Sequence, residues 1–535
     1  MSGSLRKQDY YVLFCVGLLV SLALTVFQQF PGYMDAEYYY GGGLRLYEGQ
    51  GFSEMMLWNY LDDPAGLPHA SHAYWMPLPS LLAAAGMLLF QSRAYFAARS
   101  LFLLLAALVP PLTAFLAQCL GQERRGAYLA GWMGLFSGYY VIYTTLTEGF
   151  AITMILGSVF ILTVFGPENT ENNAKTKALV FLVPGVAAGL MHLTRADGVL
   201  WLAAGIVAVV WWYGLSRRAS AGLVVAAAGW MITGYFVVMA GWYYRNWLVF
   251  GSFFAPGGSR TLWLQNYDQT FTYPAEQLTM QGWLANSWQT ILQDRLAAMW
   301  TNLKTTLAVQ GQVYLLPLML IGLWKLRRDR RVILGMCLWL VIFGVMSLAF
   351  PFAGARGGFL HSGAAVQPLL WAVVPTGLQS FIDWGRRRRN WDARLAFLVF
   401  GIGLVVLGLM LSMALYKLRV VGDDFRQPIW AESWKANLAL DQALIRAGAQ
   451  DEDVVMINNP AGLNAATGRS AIVIPDGPLE TSLQVAQRYG ASYLILEPNH
   501  VDGLKELYAQ PGDRQGLEYL AVEGGAYLYR IKGEK

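Results

Sequence analysis

The sequence predicts an α-helical polytopic membrane protein of about eleven spans, followed by a small α/β domain outside the cytoplasm. Three observations predict it. Hydrophobic residues make up 56% of the 535-residue chain and charged residues only 14%, against about 25% charged in soluble domains. The basic residues fall in short clusters between apolar runs, as topology signals do. After about residue 416 the apolar runs give way to short aliphatic strands alternating with amphipathic helices. Mean hydropathy is +0.38, and the 20 Trp and 28 Tyr suit interfacial belts. A disordered chain, a coiled coil and a disulfide scaffold are excluded. The +5 net charge reads as topology rather than as a nucleic-acid surface. The three cysteines, Cys15, Cys119 and Cys337, lie in apolar runs without metal-type spacing and read as small core residues.

The expected spans are 10–27, 99–120, 126–143, 149–165, 178–193, 199–213, 221–239, 307–323, 332–348, 364–381 and 396–415. The first has no small-residue cleavage site and reads as an uncleaved anchor. The short, proline-led run 77–90 reads as a surface helix. If it does not cross, six basic clusters share one side: Arg6/Lys7, Arg124/Arg125, Lys175/Lys177, Arg217/Arg218, Lys325–Arg331 and Arg386–Arg394. The positive-inside rule makes that side cytoplasmic. The N-terminus is then cytoplasmic and the protein multi-pass in the inner (plasma) membrane. The outer side receives loop 28–98, the turn at Thr147–Glu148, Arg195 and Asp197, segment 241–305, loop 351–363 and the tail. The domains expected are 1–416, membrane-embedded, and 417–535, extracytoplasmic. In the tail, 432–448, 479–489 and 501–508 read as helices. Segments 453–458, 470–475 and 492–497 read as strands, and 517–522 with 526–531 as a hairpin around Gly524-Gly525. The tail has no phosphate-cradling glycine motif and reads as a docking or acceptor-positioning domain.

Ionisable groups on the outer side are the candidates for chemistry, because such groups are costly near a bilayer unless hydrated, paired or used. Asp35 and Glu37 follow the first span, ahead of a helix expected at 43–48. A carboxylate there suits a general base for a hydroxyl nucleophile, or is a solvated acid beside the tyrosine belt Tyr38–Tyr40. His69 and His72, two of only five histidines, give a metal site with Asp35 and Glu37, or interfacial hydrogen bonds. Glu148 stands between two apolar runs, as a functional acid or the partner of an arginine. Arg99, Arg195, Arg245 and Arg356 lie near outer span ends, as forks for phosphate oxygens, or as interfacial anchors or partners for Asp197 or Glu148.

These residues occur in an order that resembles the C-type (GT-C) membrane glycosyltransferases. Asp35-Ala-Glu-Tyr-Tyr39, then Gly43-Leu-Arg-Leu and Gly49, is similar to their D-E-x-x-Y…A-x-x-L…G opening. Tyr74-Trp-Met-Pro77-Leu-Pro79 is similar to their proline-led surface helix, and Arg99 to an arginine opening the next span. Thr147-Glu148-Gly-Phe-Ala lies where a second outer acid stands. Leu193-Thr-Arg195-Ala-Asp-Gly198, Arg245-Asn246 and Asn458-Asn-Pro…Thr467-Gly-Arg469…Ile474-Pro475 also fit this style. The protein O-mannosyltransferase and aminoarabinose-transferase families are the nearest in style. The resemblance covers nearly the whole chain. Ala36 replaces the motif's second acid, Glu148 an aspartate, and Met76 the first proline. No WWDYG-type motif is present, which sets oligosaccharyltransferases aside.

The resemblance implies a transferase that moves a sugar from a polyprenyl-phosphate donor to an acceptor hydroxyl of a protein, lipid or glycan, with inversion. Asp35 would be the base, and Glu148 would orient the acceptor or support a divalent metal. Arg195, Arg245, Arg356 and Arg99 would face the donor phosphate. Glu37, His72 and Tyr39 would be acceptor or metal contacts. Members differ in metal use. The partners implied are the lipid-linked sugar, the acceptor and membrane lipids, with no nucleic acid. The alternative class is a transporter or flippase of a lipid-linked anion, whose expected signs are paired repeats and broken mid-membrane helices. A receptor or assembly factor built on the tail leaves the outer acids and arginines unexplained.

Overall fold

The computed structural model describes residues 3–166, 179–216 and 220–532. The clusters Lys175/Lys177 and Arg217/Arg218 lie outside the described residues. Two compact units form, each from three stretches of chain. The first takes Met1–Val26, Ser100–Tyr244 and Asp294–Gly422; the second takes Phe27–Arg99, Arg245–Gln293 and Asp423–Lys535. The division expected at 416/417 is thus drawn differently, because segments of both long loops pack with the tail.

Among the described residues, seven helices are long and apolar enough to cross a membrane: Lys7–Leu24, Tyr95–Cys119, Ala196–Ser216, Ala221–Phe250, Arg330–Ala349, Pro351–Arg389 and Ala393–Val421. Shorter apolar helices are Leu78–Phe90, Phe150–Thr163, Leu182–Thr194 and Leu316–Lys325. Several expected spans differ in form. The run 126–143 is an α-helix, Arg124–Leu135, and then a 3-10 turn, Gly138–Ile142. Gly138 at φ +62 makes the break. The run 307–323 opens with a π-helical turn, Thr306–Gln310. Gln312 and Val313 at positive φ then separate it from Leu316–Lys325. The expected polar stretch from 241 begins as helix, because Ala221–Phe250 runs on for 30 residues.

Within the first unit, small residues let backbones meet, as they do between membrane helices. A Cβ on Gly157 would lie 2.0 Å from the Ala365 carbonyl oxygen, and one on Gly377 2.0 Å from that of Leu318. The core gathers around Trp371, Tyr140, Phe150 and Met154. The helix Ala393–Tyr416 instead exposes Leu395, Leu398, Ile402 and Met410.

The second unit is built on a six-stranded sheet in the order β2-β5-β4-β6-β8-β7. Its strands are β2 (Met56–Leu57), β4 (Val454–Ile457), β5 (Ala471–Val473), β6 (Ala491–Leu496), β7 (Leu517–Glu523) and β8 (Ala526–Ile531). β2, β5, β4 and β6 run parallel, and β8 and β7 close the sheet as an antiparallel hairpin. β2 comes from the first outer loop, with Met56 opposite Ala471 and Leu57 opposite Ile472. The helices Glu432–Arg446 and Leu479–Tyr489 lie where the apolar periodicity places them. An eight-residue helix, Pro460–Thr467, was not legible in the sequence. Asn459 caps it and Gly468 ends it in the left-handed conformation. A second pairing joins β1 (Ser53–Glu54) to β3 (His69–Ala70), antiparallel.

Candidate active site

Asp35 and Glu37 do not lie in a loop ahead of a helix. They occupy the first turn of a single helix, Met34–Tyr47, whose N-cap, Tyr33, is extended. Acids are favoured there by the partial positive charge of the helix start. Asp35 is partly exposed, whereas Glu37 is 1% exposed. Glu37 Oε2 accepts from Asn459 Nδ2 at 2.8 Å, and its Oε1 has no hydrogen-bond partner. Burial pushes the Glu37 carboxyl up to about 7, against the lowering effect of Asn459; nearby Asp35 raises it further. Tyr39 is buried and tilts against Trp75.

Glu148 belongs to the first unit. It sits in the turn before the Phe150–Thr163 helix and is 3% exposed. Its Oε1 accepts from Gly149 N at 2.7 Å and lies 3.3 Å from His361 Nδ1. His361 stacks on Phe150 with ring centroids 4.3 Å apart. Burial pushes the Glu148 carboxyl up, but the imidazole beside it and the Gly149 N–H outweigh that and hold it below its ordinary value. Two ligands at zinc-type distances in tetrahedral geometry lie roughly 3.3 Å apart. The carboxylate–imidazole pair therefore fits a divalent ion. Sequence reasoning missed His361; the signal was a rare histidine inside a loop already expected on the outer side.

The expected grouping of His69 and His72 with Asp35 and Glu37 does not form a metal-holding cluster among the described residues. The β1–β3 register sets Glu54 opposite His69. His69 Nδ1 lies 3.3 Å from Glu54 Oε1, and its Nε2 lies 3.6 Å from Asp62 Oδ2. Burial raises the Glu54 carboxyl well above its usual range and lifts Asp62 to about 6. Burial also lowers His69 to about 4. His72, at φ +62, is held on both ring nitrogens, by Ser71 Oγ at 2.7 Å and Ser80 Oγ at 3.0 Å. Its backbone N–H donates to the Tyr38 hydroxyl at 2.8 Å. Burial lowers its imidazole to about 3.

The four arginines do not share one environment. Arg99 is 1% exposed and donates to the Gln28 carbonyl. Arg245 donates to the Ser71 carbonyl at 2.7 Å and to Asn246 Oδ1 at 3.1 Å. Arg195 pairs with Asp197 at 3.1 Å. Arg356 is exposed, beside Gly357 at φ +125.

No protein-family model and no curated protein matches the sequence. Solved structures do match. The oligosaccharyltransferase AglB from Archaeoglobus fulgidus, in complex with an inhibitory peptide and a dolichol-phosphate, matches at TM-score 0.57 and 11% identity. That match covers 91% of this chain and 69% of AglB. ArnT from Cupriavidus metallidurans matches at TM-score 0.57 and 12% identity, over 98% of both chains. ArnT bound to undecaprenyl phosphate matches at 0.55 and 13%, again over 98% of both. At these identities the likeness is one of fold: the chain shares the fold of AglB and ArnT.

Proposed function

We propose that the protein is a membrane glycosyltransferase. It moves a sugar from a polyprenyl-phosphate donor to an acceptor hydroxyl at the outer face of the plasma membrane. The observation that carries this reading is the match over 98% of both chains to ArnT, a protein solved with undecaprenyl phosphate. The residues support it. Asp35 is a partly exposed acid, whereas Glu37 and Glu54 in the same unit are buried. It takes the proton from the acceptor hydroxyl as that oxygen attacks the anomeric carbon. The bond to the donor phosphate breaks on the opposite side, so configuration inverts. Arg245, in the same unit as Asp35, offsets the charge gathering on the leaving phosphate.

Glu148 and His361 would hold a divalent ion, which would supply Lewis-acid stabilisation to a phosphate oxygen. Without it, the His361 imidazole still keeps Glu148 ionised and oriented by Gly149 N–H.

The test is a donor screen with the purified chain. Undecaprenyl phosphate carrying glucose, mannose, arabinofuranose or 4-amino-4-deoxyarabinose is supplied with and without chelator, and released undecaprenyl phosphate is measured by mass spectrometry. Asp35→Asn is expected to lower transfer by about 10³-fold with the fold intact. Wild-type transfer by that variant would sink the assignment of the base. Movement of intact donor across a vesicle membrane, without sugar release, would favour a transporter instead.

A further inference from the structure

In the second unit, β4 leads through the helix Pro460–Thr467 to β5 on one side. The chain then passes through the helix Leu479–Tyr489 to β6 on the other side of β4. In open α/β sheets that reversal leaves a crevice at the carboxyl ends of the two central strands. Ligands settle there, with anions at the start of the following helix. Here Asn458 and Asn459 follow β4 at that place. Asn459 Oδ1 accepts from Gly462 N at 3.0 Å, and its Nδ2 donates to Glu37 Oε2 at 2.8 Å. A Cβ on Gly462 would lie 2.9 Å from Glu37 Oε2 and 2.5 Å from Asn459 Nδ2, so a larger residue here would push on both partners of this hydrogen bond. The place where a sheet of this kind receives an anionic ligand is occupied by a carboxyl from the chain's own Met34–Tyr47 helix.

Successive residues on an α-helix turn by about 100°, so residues two apart point about 200° from each other. Asp35 and Glu37 therefore stand on opposite faces of their helix. Holding Glu37 fixes the rotation of the helix and so the direction in which Asp35 points. We propose that Glu37 is a positioning residue: its carboxyl, seated by Asn459 at the start of the Pro460–Thr467 helix, aims Asp35. The tail is then the mount of the catalytic helix. This rests on the reading of Asp35 as the base.

The experiment compares the full chain with Glu37→Ala, Glu37→Gln, Asn459→Ala and the Glu37→Ala/Asn459→Ala double variant. The donor is the member of the undecaprenyl-phosphate panel that the wild type uses best. Misaiming a base by an ångström costs about 10²-fold, so Glu37→Ala is expected to lower kcat by about that factor with donor KM unchanged. Glutamine keeps the acceptor oxygen for Asn459, and Glu37→Gln is expected to recover the rate to within about threefold. The double variant is expected to be no worse than the poorer single. Wild-type kcat in Glu37→Ala overturns the proposal. So does a raised KM at unchanged kcat, or a glutamine variant as damaged as the alanine one.

Hydrogen exchange separates this from the activity itself. Glu37→Ala is expected to speed exchange in 34–47 and 460–467 together, but not in 479–489. If the wild type transfers no sugar, the reading of Asp35 fails and exchange still decides the docking. Unchanged exchange in both helices overturns it.

Discussion

The helix Ala393–Tyr416 and the sheet strands β4, β5 and β6 are made of the same aliphatic residue types and use them in opposite ways. In the helix, Leu398 is 56% exposed and Ile402 55%. In the strands, Val455, Ile457 and Ile472 are fully buried. Lipid tails are as apolar as leucine, so a lipid-facing side chain gains little from packing. A strand residue outside the membrane is removed from water and gains the full transfer term. The two units differ equally in their ionisable groups. The first holds Glu148 against one imidazole, while the second buries Glu37, Glu54 and His72. The same residue types therefore face outward along this helix and inward in these strands.

That contrast is open to test. The largest expected effect is in the sheet: Ile472→Ala should cost about 3 kcal/mol, read by denaturant or thermal unfolding of the second unit. Leu398→Ala should cost less than about 1 kcal/mol in bilayer or detergent. Equal costs would break the contrast. Next comes acid sensitivity. His72 has a lowered pKa in the fold, so its unfolded form binds a proton that the folded form refuses. The stability it contributes is complete above the ordinary histidine value and is lost as pH falls towards about 3. Between about pH 7 and pH 5 the wild type should lose about 2 kcal/mol more than His72→Gln. Unfolding followed by fluorescence of the stacked Trp58 and Trp75 reads this, and identical pH profiles would refute it. The raised carboxyls of Glu54 and Asp62 work in the opposite direction, which is why the variant is compared rather than the wild type alone. Smallest is the surface pair Arg93–Glu48, 3.2 Å apart with Arg93 71% exposed. Arg93→Ala should cost less than about 0.5 kcal/mol and become neutral at high salt. A larger loss would mean that exposed charges matter in the second unit as its buried ones do.

What the sequence determined alone was the class of solvent along the chain. Spans of about 20 apolar residues, basic loops and the change of composition near 416 identified a membrane protein. The β-branched runs located all five tail strands, because burial in a sheet demands those residue types locally. The order of short motifs pointed to Asp35 and Glu148, because each is an acid at the end of an apolar run.

Only the tertiary structure decided what long-range pairing sets. The two-residue strand β2 is too short to show a period, yet it joins a sheet more than 400 residues away in sequence. Glu54 and His69 meet because of an antiparallel register, and His361 reaches Glu148 across more than 200 residues. Glu37, an acceptor or metal candidate from its neighbours in sequence, accepts a hydrogen bond from Asn459, more than 400 residues away in the chain. Local patterns report the environment each segment needs. Which partner fills that environment depends on chain segments whose spacing in the sequence carries no periodic signal.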